Sequence, residues 1–292
     1  MMPMSAGYQQ LLDAAVQHLE ELKAKGVKLV SLSPEARAWL DSGQSSQVFG
    51  SSRPSAPLQP GSRKALPQGS DAAGPVPASS ATPDRAAREA AMADLRARAM
   101  VCQKCPHLAA SRKNVVFGVG DIHSPLMFVG EAPGADEDAQ GEPFVGKAGQ
   151  LLTRIIQTMG FTRDTVYIAN ILKCRPDTPG QSAGNRKPKP EEMSTCLPYL
   201  LAQLDIIQPP VIVALGATAV EGLLGKIGGI TKLRGQWREF RGVPVMPTYH
   251  PAYLLRNESL GEKRKVWEDM LQVLERLGRA ISEKQRSYFL KA

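Results

Sequence analysis

The feature that most constrains the fold is a regular alternation of short apolar runs with longer amphipathic segments. The runs at 126–129, 166–172, 211–215 and 243–247 predict four strands, and the segments at 150–159, 191–207, 217–224 and 263–277 predict helices between and after them. Strands that are apolar throughout are buried on both faces, so the pattern predicts an α/β domain in which helices cover a parallel sheet. Ligand sites in such sheets form at the carboxyl ends of the strands.

The N-terminal part of the chain has a different composition. Between residues 42 and 84, 22 of 43 residues are Ser, Gly or Pro, which predicts a disordered linker because so little apolar surface can be buried. Residues 1–41 carry apolar side chains at helical spacing, so we expect a short helical N-terminal region that docks an unknown protein partner. The folded domain is then expected at 85–280, followed by a C-terminal tail at 281–292.

The charge is also unevenly distributed. The whole chain carries a net charge of +8, whereas residues 1–95 hold 9 basic and 9 acidic side chains, so the entire excess lies in the remainder. This excess favours an anionic partner such as nucleic acid, with an ordinary basic surface as the alternative. There is no apolar run of about 18 residues and no secretory leader, so a cytoplasmic monomer without membrane contact is expected.

All four cysteines lie in the basic part. Cys102 and Cys105 form a CxxC pair, and Cys174 and Cys196 follow singly. A reducing compartment argues against disulfides, and four thiolates from separate segments suit a tetrahedral zinc ion or a four-cysteine iron–sulfur cluster. The spacing leaves both open, together with four unrelated buried thiols.

Polar residues follow three of the predicted strands. Glu131 comes directly after the first, Asn170 lies in the second, and His250 follows the fourth. Taken alone, Glu131 fits the role of a helix cap, Asn170 that of a core amide and His250 that of a buried structural imidazole. Together they converge on one edge of the sheet, which favours a site. Phe144, a single aromatic residue between glycines, suits a platform on which a flat ligand stacks.

Several motifs resemble a known family. GEAPGADED, GEPFVGKAGQLL, ANILKCRP, RKPKPEE, VIVALG and HPAYLLR follow the CxxC pair over about residues 98–278 and closely resemble the family-4 (iron–sulfur) uracil-DNA glycosylases of the uracil-DNA glycosylase superfamily. The resemblance implies a three-layer α/β/α sandwich with a four-stranded parallel sheet. It also implies a [4Fe–4S] cluster on the four cysteines and a DNA-repair hydrolase that releases uracil from single- or double-stranded DNA, leaving an abasic site for base excision repair.

The same resemblance assigns roles to individual residues. Glu131 would manage the attacking water, Asn170 and His250 would contact the uracil ring, and Phe144 would stack on it. The rest of the substrate pocket would involve Ala132, Gly134 and Asp138, and the DNA contacts would involve Arg186, Lys187, Arg256 and Leu255. Further candidates for phosphate contact are Lys173, Arg175, Lys189, Arg234, Arg238 and Arg241.

Two departures from related proteins affect these roles. Ala132 stands where the best-known uracil glycosylases of another family carry an aspartate, so the acid that manages the water is open. No histidine lies between Cys174 and Cys196, so covalent capture of DNA, which a related branch performs, is not expected.

Two other classes of protein fit parts of the pattern. One is a nucleic-acid-binding protein whose metal site is purely structural, and the other is an electron-transfer iron–sulfur protein. The convergence of Glu131, Asn170 and His250 favours the enzyme, since neither alternative needs these residues at strand ends. Release of uracil from a uracil-containing oligonucleotide separates the first two classes, and a redox titration with and without DNA tests the third.

Overall fold

The computed structural model describes residues 81–177 and 186–290. The predicted N-terminal region at 1–41, most of the linker at 42–84 and the segment 178–185 lie outside the described residues, as do the last two residues.

The described elements alternate as the sequence predicts. In chain order they are α1 (Ala81–Met100), α2 (Pro106–Ser111), β1 (Val119–Gly120), β2 (Leu126–Gly130), α3 (Ala135–Gln140), α4 (Lys147–Thr158), β3 (Tyr167–Asn170), α5 (Pro190–Ile207), β4 (Val211–Leu215), α6 (Ala217–Leu224), α7 (Ile230–Leu233), β5 (Arg238–Phe240), β6 (Val243–Thr248), α8 (Pro251–Arg256), α9 (Leu260–Arg276) and α10 (Glu283–Ser287). The four strands and four helices predicted between residues 126 and 277 are all present, with bounds shifted by at most three residues.

The strands form one sheet in the order β1-β3-β2-β4-β6-β5. The four central strands are parallel, which confirms the predicted parallel sheet. Strands β1 and β5 add short antiparallel edges that the sequence analysis did not predict. They were missed because they are two and three residues long and carry no buried apolar run.

Helices cover both faces of this sheet, because neighbouring side chains of a strand point to opposite faces. Met127 and Val129 of β2 pack in a cluster with residues of α1, α5 and α6. Leu126 and Phe128 pack in a second cluster with residues of α4 and α9. The predicted three-layer α/β/α sandwich is therefore confirmed.

Both terminal helices of the described domain form hydrogen bonds with the rest of it. Helix α1 begins at Ala81, before the predicted end of the linker, and Arg88 donates to Gln208 Oε1 (3.0 Å) just after α5. At the other end, Trp267 Nε1 donates to the carbonyl of Gln285 (2.6 Å) in α10. The predicted C-terminal tail is thus part of the fold up to residue 290. None of the described helices is long and apolar enough to cross a bilayer.

Candidate active site

The carboxyl edge of the parallel sheet brings three of the predicted site residues to one place. Gly130 and Asn170 are paired neighbours at the ends of β2 and β3, and Glu131 follows directly. On the other side, β6 ends at Thr248, and His250 caps the N-terminus of α8. These positions follow from the topology, because parallel strands all end at the same edge.

Phe144 completes this group of residues. Its side chain is 6% exposed, and its ring lies 5.7 Å from the His250 ring at an interplanar angle of 31°. A β-carbon added to Gly130 would collide with both Asn170 Oδ1 and the tip of the Phe144 ring. The amide and the ring therefore meet over Gly130, in a space that only glycine leaves open.

The backbone of the Phe144 loop is held by two charged side chains. Glu137 in α3 accepts from the N–H groups of Gly134, Val145 and Gly146, each at 3.0 Å. Arg163 donates to the carbonyls of Pro143 (2.7 Å) and Phe144 (3.0 Å). Between these contacts Phe144 adopts φ 55°, a left-handed conformation that is unfavourable for a bulky residue.

The sequence analysis missed both Glu137 and Arg163. Glu137 had a detectable signal, since an acid at the third position of a helix reaches back to the cap residue. Arg163 had none, because it lies 19 residues from Phe144 in a short 3₁₀ turn.

Asn170 carries an unusual buried group. The residue is 2% exposed, and its Oδ1 is buried without a hydrogen-bond partner among the described residues. A buried acceptor left unpaired costs free energy, so such atoms in native proteins call for an explanation. A ligand N–H would supply the missing donor.

His250 is held as a neutral donor. The N–H of Ala252 donates to His250 Nδ1 (3.1 Å), so the ring proton of the neutral imidazole is on Nε2. Burial, and secondarily the Arg256 cation, lower the pKa of His250 to about 4. The residue is therefore uncharged at neutral pH and presents one N–H.

The remaining predicted pocket residues make contacts within the protein. Both carboxylate oxygens of Asp138 accept from the N–H of Lys113 (3.0 and 3.1 Å), so this side chain anchors the segment before β1. Gly134 caps α3, and Ala132 packs against the core cluster of α1, α5 and α6. These contacts give no support to the substrate-binding roles of the three residues.

The structure changes the set of basic residues available to DNA. Lys173 is 1% exposed, so its prediction as a phosphate contact is wrong. The Arg186 guanidinium forms two bonds to the buried Glu192 carboxylate (2.8 and 2.5 Å), and Arg234 is likewise paired with the buried Asp269. Because both guanidinium groups are already paired with carboxylates, this geometry gives no support to phosphate contacts by Arg186 and Arg234, and the two assignments stay predictions.

Other members of the set lie at the surface. Lys187 is 60% exposed, although its Nζ pairs with Glu221 (3.0 Å). In α8 the candidate Leu255 is 37% exposed, whereas its neighbour Leu254 is buried. Arg256 follows at the exposed end of the same helix. Leu255 and Arg256 thus remain accessible beside His250.

The four cysteines line one cavity, together with Leu108, Arg112 and Leu172. Arg112 Nη1 donates to Cys174 Sγ (3.1 Å), and the N–H of Lys173 donates to Cys196 Sγ (3.2 Å). Burial raises the pKa of Cys105 and Cys174, and raises that of Cys196 to about 11. Within the described ranges, no group of three or more His, Cys, Asp or Glu side chains lies in an arrangement that could hold a metal ion.

Comparison with known proteins identifies the family. Residues 117–271 match the family model described as the uracil DNA glycosylase superfamily. The chain belongs to this superfamily. The sequence is 48% identical to the type-4 uracil-DNA glycosylase of Thermotoga maritima over 185 residues, which cover 63% of this chain and 93% of that protein.

Two further relatives are similar to the chain. The type-4 uracil-DNA glycosylase of Sulfurisphaera tokodaii is 42% identical over 65% of this chain and 86% of that protein. The type-4 uracil-DNA glycosylase of Archaeoglobus fulgidus is 42% identical over 58% of this chain and 86% of that protein. These relatives confirm the resemblance to the family-4 glycosylases.

Proposed function

We propose that this protein is a uracil-DNA glycosylase that hydrolyses the N-glycosidic bond of uracil in DNA. It releases free uracil, leaves an abasic site and so starts base excision repair. The names of the relatives support this activity. The single observation that carries it is the unpaired, buried Oδ1 of Asn170 beside the Phe144 ring and the neutral His250.

The pocket suits recognition of one flipped base. An enzyme that acts on a base takes it out of the stack, at a cost of a few kcal/mol, and reads its edge. The Phe144 ring would stack on the uracil, while Asn170 Oδ1 accepts from N3–H and Nδ2 donates to O4. Cytosine has no N3–H and carries an amino group at that end, so it matches the carboxamide poorly.

The proposed role of His250 follows from the negative charge that develops on the leaving uracil. Cleavage gives an oxocarbenium-like sugar and a uracil anion with charge on O2. The Nε2–H of a neutral His250 stabilises charge that develops only in the transition state, where a preorganised donor is most effective. Glu131, half-buried at the end of β2, would orient or deprotonate the attacking water and favour the cationic sugar.

The surface around this pocket would hold the DNA backbone. Lys187, Lys189 and Arg256 are exposed cations suited to phosphates, and Leu255 is exposed enough to fill the vacated place in the base stack. Single- or double-stranded uracil-containing DNA is the proposed substrate.

The cysteine cavity fits the cofactor that the type-4 relatives imply. Four thiols from three segments surround one space, and two N–H donors already point at sulfur, as expected around cluster ligands. We therefore propose that Cys102, Cys105, Cys174 and Cys196 hold a [4Fe–4S] cluster that cross-links their segments when bound. The cytoplasmic location, the monomeric state and the protein partner of residues 1–41 stay predictions.

An excision assay on oligonucleotides tests the function. We expect the wild-type protein to release uracil, and Asn170→Ala to lower kcat/KM by about 10- to 100-fold because two edge contacts are lost. Asn170→Asp should lose uracil excision severely, since an ionised carboxylate repels O4. It should gain weak cytosine release as the pH falls, because a protonated Asp can donate to cytosine N3.

Asn257→Asp makes the same chemical change at an exposed amide and serves as the control. Uracil excision by Asn170→Asp at the wild-type rate would show that Asn170 does not read the base. DNA binding without uracil release by the wild-type protein would favour a binding protein over an enzyme.

A further inference from the structure

The side chain of Lys173 carries a buried charge that the pocket described above does not use. The residue is 1% exposed, and its Nζ donates to the Asn170 carbonyl (3.0 Å) and to Gln203 Oε1 (2.6 Å). Both acceptors are neutral. Across residues 81–177 and 186–290, no carboxylate lies within ion-pair distance of this ammonium.

A buried ammonium is costly without a counter-charge. Neutral acceptors replace part of its lost hydration, but a group of this kind is normally found paired, or else loses its proton. An apolar side chain of similar length would avoid this cost, so the retained lysine needs an anion nearby.

The anion that the chain can supply is at the cysteine cavity. Cys174 is the next residue, and the N–H of Lys173 itself donates to Cys196 Sγ (3.2 Å). Thiols that bind metal are deprotonated, so four of them around a cluster core of two positive charges leave two negative charges. Arg112 is a cation in direct contact with one of these sulfurs, since it donates to Cys174 Sγ (3.1 Å), whereas Lys173 contacts Cys196 through its backbone N–H.

We propose that the Lys173 ammonium, together with Arg112, is the internal counter-ion of the cysteine-bound cluster. This inference rests on the proposed [4Fe–4S] cofactor. The two cations balance the two negative charges, and the bond from Lys173 Nζ to the Asn170 carbonyl joins the cluster region to the residue that reads the base. The lysine is a positioning residue, since it touches neither DNA nor uracil.

Removal of the Lys173 charge should change stability in opposite directions in the cluster-loaded and the metal-free protein. With the cluster bound, removal of the lysine charge leaves an uncompensated anion. With the cluster stripped, the same change removes an uncompensated buried cation. A residue that acts only through hydrogen bonds would destabilise both forms alike.

The test uses Lys173→Met in the full chain. We expect iron release to a chelator, followed by loss of visible absorbance, to be at least about 10-fold faster than in the wild type. The chelator-stripped variant should melt at the same temperature as the stripped wild type or higher. Lys232→Met is the matched control, since Lys232 is exposed and does not line this cavity, and both readouts should stay at wild-type values.

Unchanged iron release in Lys173→Met, or an equal loss of Tm in the loaded and stripped forms, overturns the proposal. If Lys173→Met does not fold, Arg112→Gln decides, because Arg112 is only half-buried and its loss should also speed iron release. These readouts need no DNA. A wild-type protein that releases uracil but holds no iron overturns the cofactor and the counter-ion while leaving the glycosylase activity intact.

Discussion

Arg163→Met is the most informative test of how the Phe144 platform is held. Arg163 donates to the carbonyls of Pro143 (2.7 Å) and Phe144 (3.0 Å), and Glu137 accepts from the N–H of the next residue, Val145 (3.0 Å). Methionine keeps the aliphatic stem and removes both donors. We expect the loop to relax and Phe144 to leave its left-handed conformation.

The size of the effect follows from these contacts. A hydrogen bond from a charged donor contributes about 1.5–3 kcal/mol net, and the lower value applies because Arg163 is half-buried. A left-handed conformation costs a residue like Phe144 about 1–2 kcal/mol, and the contacts of Glu137 and Arg163 with the loop offset this cost. If about 1.5–2.5 kcal/mol of this ordering is lost from the transition state, kcat/KM falls by about 10- to 70-fold.

The assay is single-turnover and steady-state excision from a uracil-containing oligonucleotide, with unfolding followed in parallel. Arg154→Met, an equal charge change at an exposed position of α4, is the control and should keep wild-type activity. Phe144→Leu removes the aromatic face, and the double variant closes a cycle with Arg163→Met. If Arg163 acts through Phe144, the double variant should be little worse than Phe144→Leu alone.

Full additivity of the two effects would refute the reasoning, because it would mean that Arg163 contributes independently of the platform. An Arg163→Met variant with wild-type kcat/KM would refute it more simply.

Three further predictions concern pH and salt. The pKa of His250 is lowered from 6.5 to about 4 in the folded protein. Its contribution to the free energy of unfolding is therefore complete above pH 6.5 and is lost as the pH falls towards 4. Denaturant unfolding of the wild type and of His250→Asn at several pH values should show this dependence. Arg256→Gln should move the acid limb of the pH profile of kcat/KM to higher pH, and an unmoved limb would exclude the Arg256 cation as a cause. Replacing Lys187 and Lys189 together by Gln should weaken binding to DNA with or without uracil and reduce the slope of log Kd against log salt by about 2. An unchanged slope would place the phosphate contacts elsewhere.

Much of the fold was predictable because buried parallel strands have a simple sequence pattern. The runs at β2, β3, β4 and β6 are apolar at every or nearly every position, and the structure buries them on both faces. Strands β1 and β5 pair along only one side and are partly exposed, so their residues carry no such pattern. The position of an edge strand this short is set by pairing with the neighbouring strand, and not by a pattern in its own sequence.

The candidate site was predictable only in part. Topology alone places Glu131, Asn170 and His250 at one edge, because each follows or ends a parallel strand. Side-chain burial is a different matter. Lys173 lies close to another basic residue in the motif LKCR, which suggested a DNA contact, yet the turn after β3 directs it into the core. Whether a lysine points inward depends on residues distant in sequence, such as Gln203 on α5.

The backbone after β3 links the base pocket to the cysteine site. Ile171 N–H donates to the Gly130 carbonyl (3.0 Å) and Leu172 N–H to the Glu131 carbonyl (3.1 Å), so this segment continues to pair with the chain leaving β2. One residue later, Lys173 N–H donates to Cys196 Sγ (3.2 Å). Five residues, Asn170 to Cys174, thus carry the buried amide, the pairing with Glu131 and a cysteine. We therefore expect a displacement of Cys174 to shift the segment that sets the spacing between Asn170 and Glu131, so that loss of the cysteine site should change the geometry of the pocket.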